Sequence, residues 1–252
     1  MTRIESRDNA RVKNVARLLA SGAARREQGL FVCEGPTMLR EALAAGVQIE
    51  EIYALPEQIG GLEGIGGACF EVTPGVLRKL SDTETPRGPV FVCRIPGPQK
   101  PQGAQFLALE ELRDPGNIGT VVRTAEAFGV PEIVLVGSCA DLYAPKTVRA
   151  TMGSVFRVRT CAMTPQQLRE WTRSQNVPLV GAALTHSAVP IGRLSLRRAA
   201  VIIGSEAHGI RPETLALCDE CAIIPIEGAE SLNAAVAAAV FLWEMKRART
   251  VQ

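Results

Sequence analysis

The chain has 252 residues, 46% of them hydrophobic and 21% charged, with a formal net charge of +2. This balance excludes a disordered chain, and the length allows one large domain or two ordinary ones, each with its own core. The charged opening Thr2-Arg3-Ile4-Glu5-Ser6-Arg7-Asp8 argues against a secretory signal, and the longest apolar run, Ala234 to Trp243, is too short to span a bilayer, so a cytoplasmic protein is expected.

Residues 1 to 30 concentrate positive charge: Arg3, Arg7, Arg11, Lys13, Arg17, Arg25 and Arg26 stand against Glu5, Asp8 and Glu27. Such a stretch suits either a phosphate backbone or an ordinary solvated helix face. Helix-like periodicity over Ala10 to Ala20, Thr37 to Ala45 and Pro74 to Leu80 alternates with strand-like runs at Leu30 to Cys33, Glu51 to Ala54 and Val90 to Arg94. Together they predict a small α/β domain over residues 1–95. The glycine-rich run Gly60 to Gly67 has neither a preceding strand nor a prompt helix and reads as a surface loop.

Three prolines and two glycines in Ile95-Pro-Gly-Pro-Gln-Lys-Pro-Gln-Gly103 mark a linker at 96–103. Beyond it, over 104–252, continuous apolar runs at Phe106 to Leu109, Ile133 to Val136, Leu179 to Ala183, Val201 to Ile203 and Ala222 to Pro225 predict strands of a parallel sheet covered on both faces. Helical patterns separate them. The last runs from Leu232 to about Arg249 and ends in Lys246, Arg247 and Arg249, favourable at a helix C-terminus. Seven cysteines in apolar contexts do not form a disulfide framework. Cys218 and Cys221 have ligand spacing, but no second pair follows and only two histidines exist, so no metal is expected.

Three polar clusters sit where a strand-like run gives way to a helix, the place where open α/β sheets hold ligands. In Asp114-Pro-Gly-Asn-Ile-Gly-Thr-Val-Val-Arg123, Asn117 offers a donor and an acceptor at the helix start, and Arg123, two turns in on the polar face, suits a bidentate grip on phosphate. In Gly204-Ser-Glu-Ala-His-Gly209, two glycines bracket Glu206, which either faces a ligand, caps the next helix or pairs with Arg123. Histidine is a common general base, but His208 reads as a bystander. In Ser231-Leu-Asn233, Ser231 is a candidate N-cap and Asn233 a candidate partner for a neighbouring loop.

These clusters, with Asp141-Leu-Tyr-Ala-Pro-Lys146, Arg149-Ala-Thr-Met-Gly-Ser154 and the N-terminal Phe31-Val-Cys-Glu-Gly35, resemble the SpoU/TrmH family of RNA ribose 2′-O-methyltransferases in the SPOUT superfamily. The resemblance implies a parallel-sheet SPOUT domain with a C-terminal trefoil knot, preceded by a substrate-binding domain similar in fold to ribosomal protein L30e. It implies S-adenosylmethionine as cofactor, bound by loops around Leu184, Gly204, Glu206, Ile224, Ser231 and Leu232. Asn117, Arg123, Glu206 and Asn233 would line the reacting centre, and no metal is needed. RNA, ribosomal more than transfer, would be held by Arg7, Arg11, Lys13 and Arg123, in a homodimer whose two subunits build the active site. Competing readings are a base methyltransferase, a dinucleotide enzyme, which the lack of a glycine fingerprint after the first strand disfavours, and an RNA-binding assembly factor that retains the fold.

Overall fold

The computed structural model describes residues 2–62 and 64–250. Its strands are β1 (Thr2–Ile4), β2 (Leu30–Glu34), β3 (Ile49–Ala54), β4 (Ala68–Val72), β5 (Val90–Arg94), β6 (Gln105–Glu110), β7 (Glu132–Val136), β8 (Arg159–Met163), β9 (Leu179–Ala182), β10 (Val189–Pro190), β11 (Ala199–Ile203) and β12 (Glu220–Ile223). Its helices are α1 (Ala10–Ala20), α2 (Gly22–Gln28), α3 (Pro36–Ala44), α4 (Pro74–Lys79), α5 (Pro115–Ala127), α6 (Pro145–Thr151), α7 (Pro165–Ser174), α8 (Pro212–Leu215) and α9 (Ala234–Thr250). They form two compact units. One is the chain up to Gly97 together with Asp141–Phe156; the other is Pro98–Ala140 together with the chain from Arg157 onward.

The first unit is a five-stranded mixed sheet in the order β1-β4-β3-β5-β2. Asn9 caps α1 by accepting the Arg11 N–H at 2.9 Å, and Val12, Val15 and Leu18 form its one buried stripe. That stripe joins Val32, Tyr53, Phe70, Val76 and Leu80 in the core, where Tyr53 stacks on Phe70 with centroids 5.3 Å apart. Arg25, on α2, is buried and explains why the distant segment Asp141–Phe156 belongs here. Its Nε and Nη2 donate to Asp141 Oδ2 at 3.0 and 2.8 Å, and its Nη1 donates to the Leu19 carbonyl at 3.1 Å. Phe31 completes the anchor against Tyr143, at 4.8 Å between centroids. Arg25 is therefore a buried structural cation.

The second unit is a seven-stranded sheet in the order β10-β12-β9-β11-β6-β7-β8, with every pairing parallel. All five residues of β11 are buried, as a continuous apolar run between two covered faces requires. Phe106 and Ala108 of β6, Ala200 and Ile202 of β11, and Leu168 and Trp171 of α7 share one core. The chain leaves β6 toward β7 on one side, while β11 and the strands beyond it lie on the other. The carboxyl ends of β6 and β11 therefore flank a topological switch point, where such sheets open a crevice.

Candidate active site

The crevice is a cleft of about 810 Å³ at the carboxyl ends of β9, β11 and β12, with Ala234, Ala237 and Phe241 of α9 in its wall. Leu184, Gly204, Glu206, Ile224, Ser231 and Leu232, the six residues expected at a cofactor, all line it. Among the described residues no lysine, arginine or histidine does. Its charged side chains are the carboxylates Glu206 and Glu230, so the cleft favours a ligand with a positive centre over one carrying phosphates.

The loop after β11 is a tight reversal. The Gly209 N–H donates to the Ser205 carbonyl at 2.8 Å, the Ser205 N–H donates back at 3.2 Å, and Gly209 takes a φ of 64° that favours glycine. Gly204 is demanded by close approach: a Cβ there would lie 2.0 Å from the Gly209 carbonyl carbon and 2.3 Å from the Ile210 nitrogen. The reversal leaves Glu206 exposed at the cleft mouth, with the His208 N–H donating to Ser205 Oγ at 3.3 Å.

Glu206 joins the other two clusters. Its Oε1 accepts from Asn117 Nδ2 and, at 3.4 Å, from Asn233 Nδ2, which also reaches Asn117 Oδ1 at 3.3 Å. Asn117 is placed by α5, whose N-cap Asp114 accepts the Asn117 N–H at 2.8 Å, with Pro115 at the first helical position. Asn233 is placed by α9, and here the expectation is corrected. The helix starts at Ala234 and not at Leu232, and Asn233, not Ser231, accepts the Ala235 and Val236 N–H groups at 2.9 and 3.3 Å. The amide thus caps with its oxygen and serves the site with its nitrogen. Glu206 caps no helix, since Arg211 holds the N-cap position of α8.

Arg123 is exposed on α5 and makes no hydrogen bond or ion pair with any described residue, so the pairing with Glu206 is not formed. The predicted RNA contacts of the N-terminal stretch fall in the other unit and are engaged. Arg7 donates to the Gly75 carbonyl at 3.0 Å; Arg11 pairs with Glu51 and lies 4.9 Å over the Phe70 ring; Lys13 is 3.0 Å from Asp8. Cys218, in the pair with ligand spacing, stays a thiol: burial first, then the charges of Cys221, Asp219 and Glu110, push it up to about 12. Among the described residues no three His, Cys, Asp or Glu side chains converge as a metal site.

Sequence reasoning passed over Glu110 and Thr214, whose side chains meet behind the Glu206 loop. An acid ending an apolar strand was their one outward mark, and it names no partner.

Residues 104–243 match the SpoU rRNA Methylase family, and residues 9–90 match the MRM3-like substrate binding domain. The chain is 30% identical to the 23S rRNA (guanosine(2553)-2′-O)-methyltransferase RlmP of Bacillus subtilis, over 98% of this chain and 100% of that protein. Its fold superposes on the AdoMet-bound rRNA methyltransferase of Sinorhizobium meliloti with a TM-score of 0.89 at 30% identity, covering 98% of this chain and 97% of that one. The SpoU methyltransferase AviRb of Streptomyces viridochromogenes, in complex with AdoMet, gives 0.88 at 27% identity, over 96% and 98%. Matched across its catalytic half and aligned end to end with such relatives, the chain belongs to the SpoU rRNA methylase family.

Proposed function

We propose that the protein methylates a ribose 2′-hydroxyl of RNA, ribosomal RNA in the first instance, using S-adenosylmethionine. The observation that carries this reading is the meeting of Asn117, Glu206 and Asn233 at the mouth of a cleft lined by apolar side chains, two serines and two carboxylates, with no basic residue among the described ones. The cleft lies within the usual size range of a small-molecule site. Leu184, Ile224 and Leu232 offer apolar surface to an adenosine, and Glu206 and Glu230 suit a sulfonium and an amino group. When bound, S-adenosylmethionine supplies a methyl group activated by positive sulfur.

The chain's own contribution is placement and charge. The three polar side chains fix where the ribose edge sits relative to the cleft, since a methyl transfer needs the attacking oxygen in line. Arg123 holds the target phosphate and stabilises negative charge developing on the ribose oxygen as its proton passes to water. A guanidinium that stays protonated does this without acting as a base.

The same reading includes a homodimer, a trefoil knot and a cytoplasmic setting. Val236 and Trp243 are half exposed on α9, and with Ala239 and Val240 they form one apolar stripe, which supports a second copy as partner. The trefoil knot rests on membership of the SpoU rRNA methylase family. All seven cysteines are free, as a reducing compartment favours. No helix among the described residues is long and apolar enough to cross a membrane.

The deciding experiment combines calorimetry of S-adenosylmethionine binding with transfer of a labelled methyl to ribosomal and transfer RNA, followed by mapping of 2′-O-methyl sites. Tight binding without transfer to any RNA would favour an assembly factor.

A further inference from the structure

We propose that Glu110 and Glu111, at the exit of β6, are positioning residues that hold the Glu206 loop in register with Asn117 and Asn233; this rests on the methyl-transfer reading above. The loop enters from β11, whose Ile203 pairs with Leu109 of β6. It leaves through Ile210 and Arg211, and there the last residue of β6, Glu110, and the first beyond it, Glu111, seize it. Glu110 is 1% exposed, and its carboxylate accepts the Arg211 N–H at 2.8 Å and the Thr214 hydroxyl. Glu111 pairs with the guanidinium of the same Arg211.

Consecutive residues of a strand point to opposite faces, so two neighbouring carboxylates do not ordinarily reach one residue. Here Glu111 has a φ of 51°, in the left-handed region that non-glycine residues rarely occupy, and its side chain passes beside Gly137, where a Cβ would approach to 3.3 Å. The kink turns Glu111 back toward Arg211. Three residues on, Asp114 caps α5 and sets Asn117. The end of β6 therefore fixes both partners of the Asn117–Glu206 contact: one through a helix start, the other through a loop exit. Between its two anchors the reversal has few bonds of its own, chiefly the Ser205–Gly209 pair, so its height over the cleft depends on the clamp.

The test uses the full-length protein and four variants, Glu110→Gln, Thr214→Val, Glu111→Gln and Arg211→Ala. Three readouts are needed: calorimetry with S-adenosylmethionine, amide hydrogen exchange over residues 204–211, and kcat and KM for RNA. Glu110→Gln should weaken S-adenosylmethionine binding by at least about tenfold, as loss of a buried charge-assisted hydrogen bond does. It should also speed exchange of the Gly209 and Arg211 amides, lower kcat and leave the KM for RNA unchanged. Thr214→Val, which keeps the carboxylate, should show the same pattern more weakly. Arg211→Ala and Glu111→Gln retain the backbone N–H bond and should show the least.

Variants that melt earlier yet bind S-adenosylmethionine and exchange like the parent would overturn the proposal, because they would make Glu110 a brace of the fold alone. A parent protein that binds no S-adenosylmethionine would instead overturn the methyl-transfer reading. The clamp would then stand or fall on the exchange data.

Discussion

Arg123 stands two turns into α5, exposed and without a hydrogen bond or ion pair to any described residue. A side chain that braces nothing can be removed at little structural cost. Arg123→Ala should therefore keep the parent's melting temperature and S-adenosylmethionine affinity while lowering turnover by roughly 10²-fold or more, the scale for losing a charge-stabilising donor. Arg123→Lys separates grip from proton abstraction. Lysine keeps the charge but loses the planar fork, so only a small part of the rate should return. If the position accepted a proton, the lysine variant would gain rate as pH rises toward the lysine pKa of about 10.4. A pH and rate profile that climbs to the parent's level would sink the phosphate grip. The meeting of Asn117, Glu206 and Asn233 was readable because polar residues stood at strand-to-helix transitions. Glu110 was not, because an acid at the end of an apolar run shows nothing of the amide and hydroxyl, a hundred residues on, that donate to it.

At the start of α9 one side chain serves two ends: the Asn233 oxygen caps the helix while its nitrogen reaches Glu206. Asn233→Asp keeps the cap and strengthens it through the helix dipole, but loses the donor and sets a second carboxylate against Glu206. Asn233→Ala loses both, with about 1 kcal/mol of stability for the cap. The aspartate variant should therefore melt at or near the parent's temperature and the alanine variant below it, while both lose methyl transfer. An aspartate variant with full activity would show that the Glu206 contact is dispensable. The other elements divide by the strength of their pattern. β6, β7, β9, β11 and β12 were readable because strands covered on both faces leave long apolar runs. β8 was not: it lies at the sheet edge, only partly buried, and Arg159-Thr-Cys-Ala-Met163 carries no such run. β1 has three residues and draws its strand character from pairing with β4, and the seven-residue α2 carries no apolar side chain larger than alanine. For β1 and β8, pairing partners distant in sequence decided the strand, not local propensity.

At the scale of the whole molecule, the discontinuous first unit is the feature no linear reading could reach: Asp141–Phe156 folds onto residues more than a hundred positions earlier because Arg25 and Phe31 offer it a buried ion pair and an aromatic bed. Assembly is the next level. If the α9 stripe meets a second copy, Trp243→Glu should shift sedimentation from dimer to monomer and reduce activity with it. A parent protein that sediments as an active monomer at micromolar concentration would refute the dimer. The ion pairs of the N-terminal stretch bear on how this enzyme feels salt. Arg3 lies against Glu5 and Glu71, Arg11 against Glu51, Lys13 against Asp8, and Arg17 against Glu27. When a phosphate takes one of these cations, the RNA releases its counterion, but the abandoned carboxylate recruits another from solution. Seven free cations would give a slope of log affinity against log salt of roughly −6 if each met a phosphate. Filter binding across a salt series should give a distinctly shallower line, so that RNA affinity survives at ionic strengths where a protein with unpaired arginines would let go.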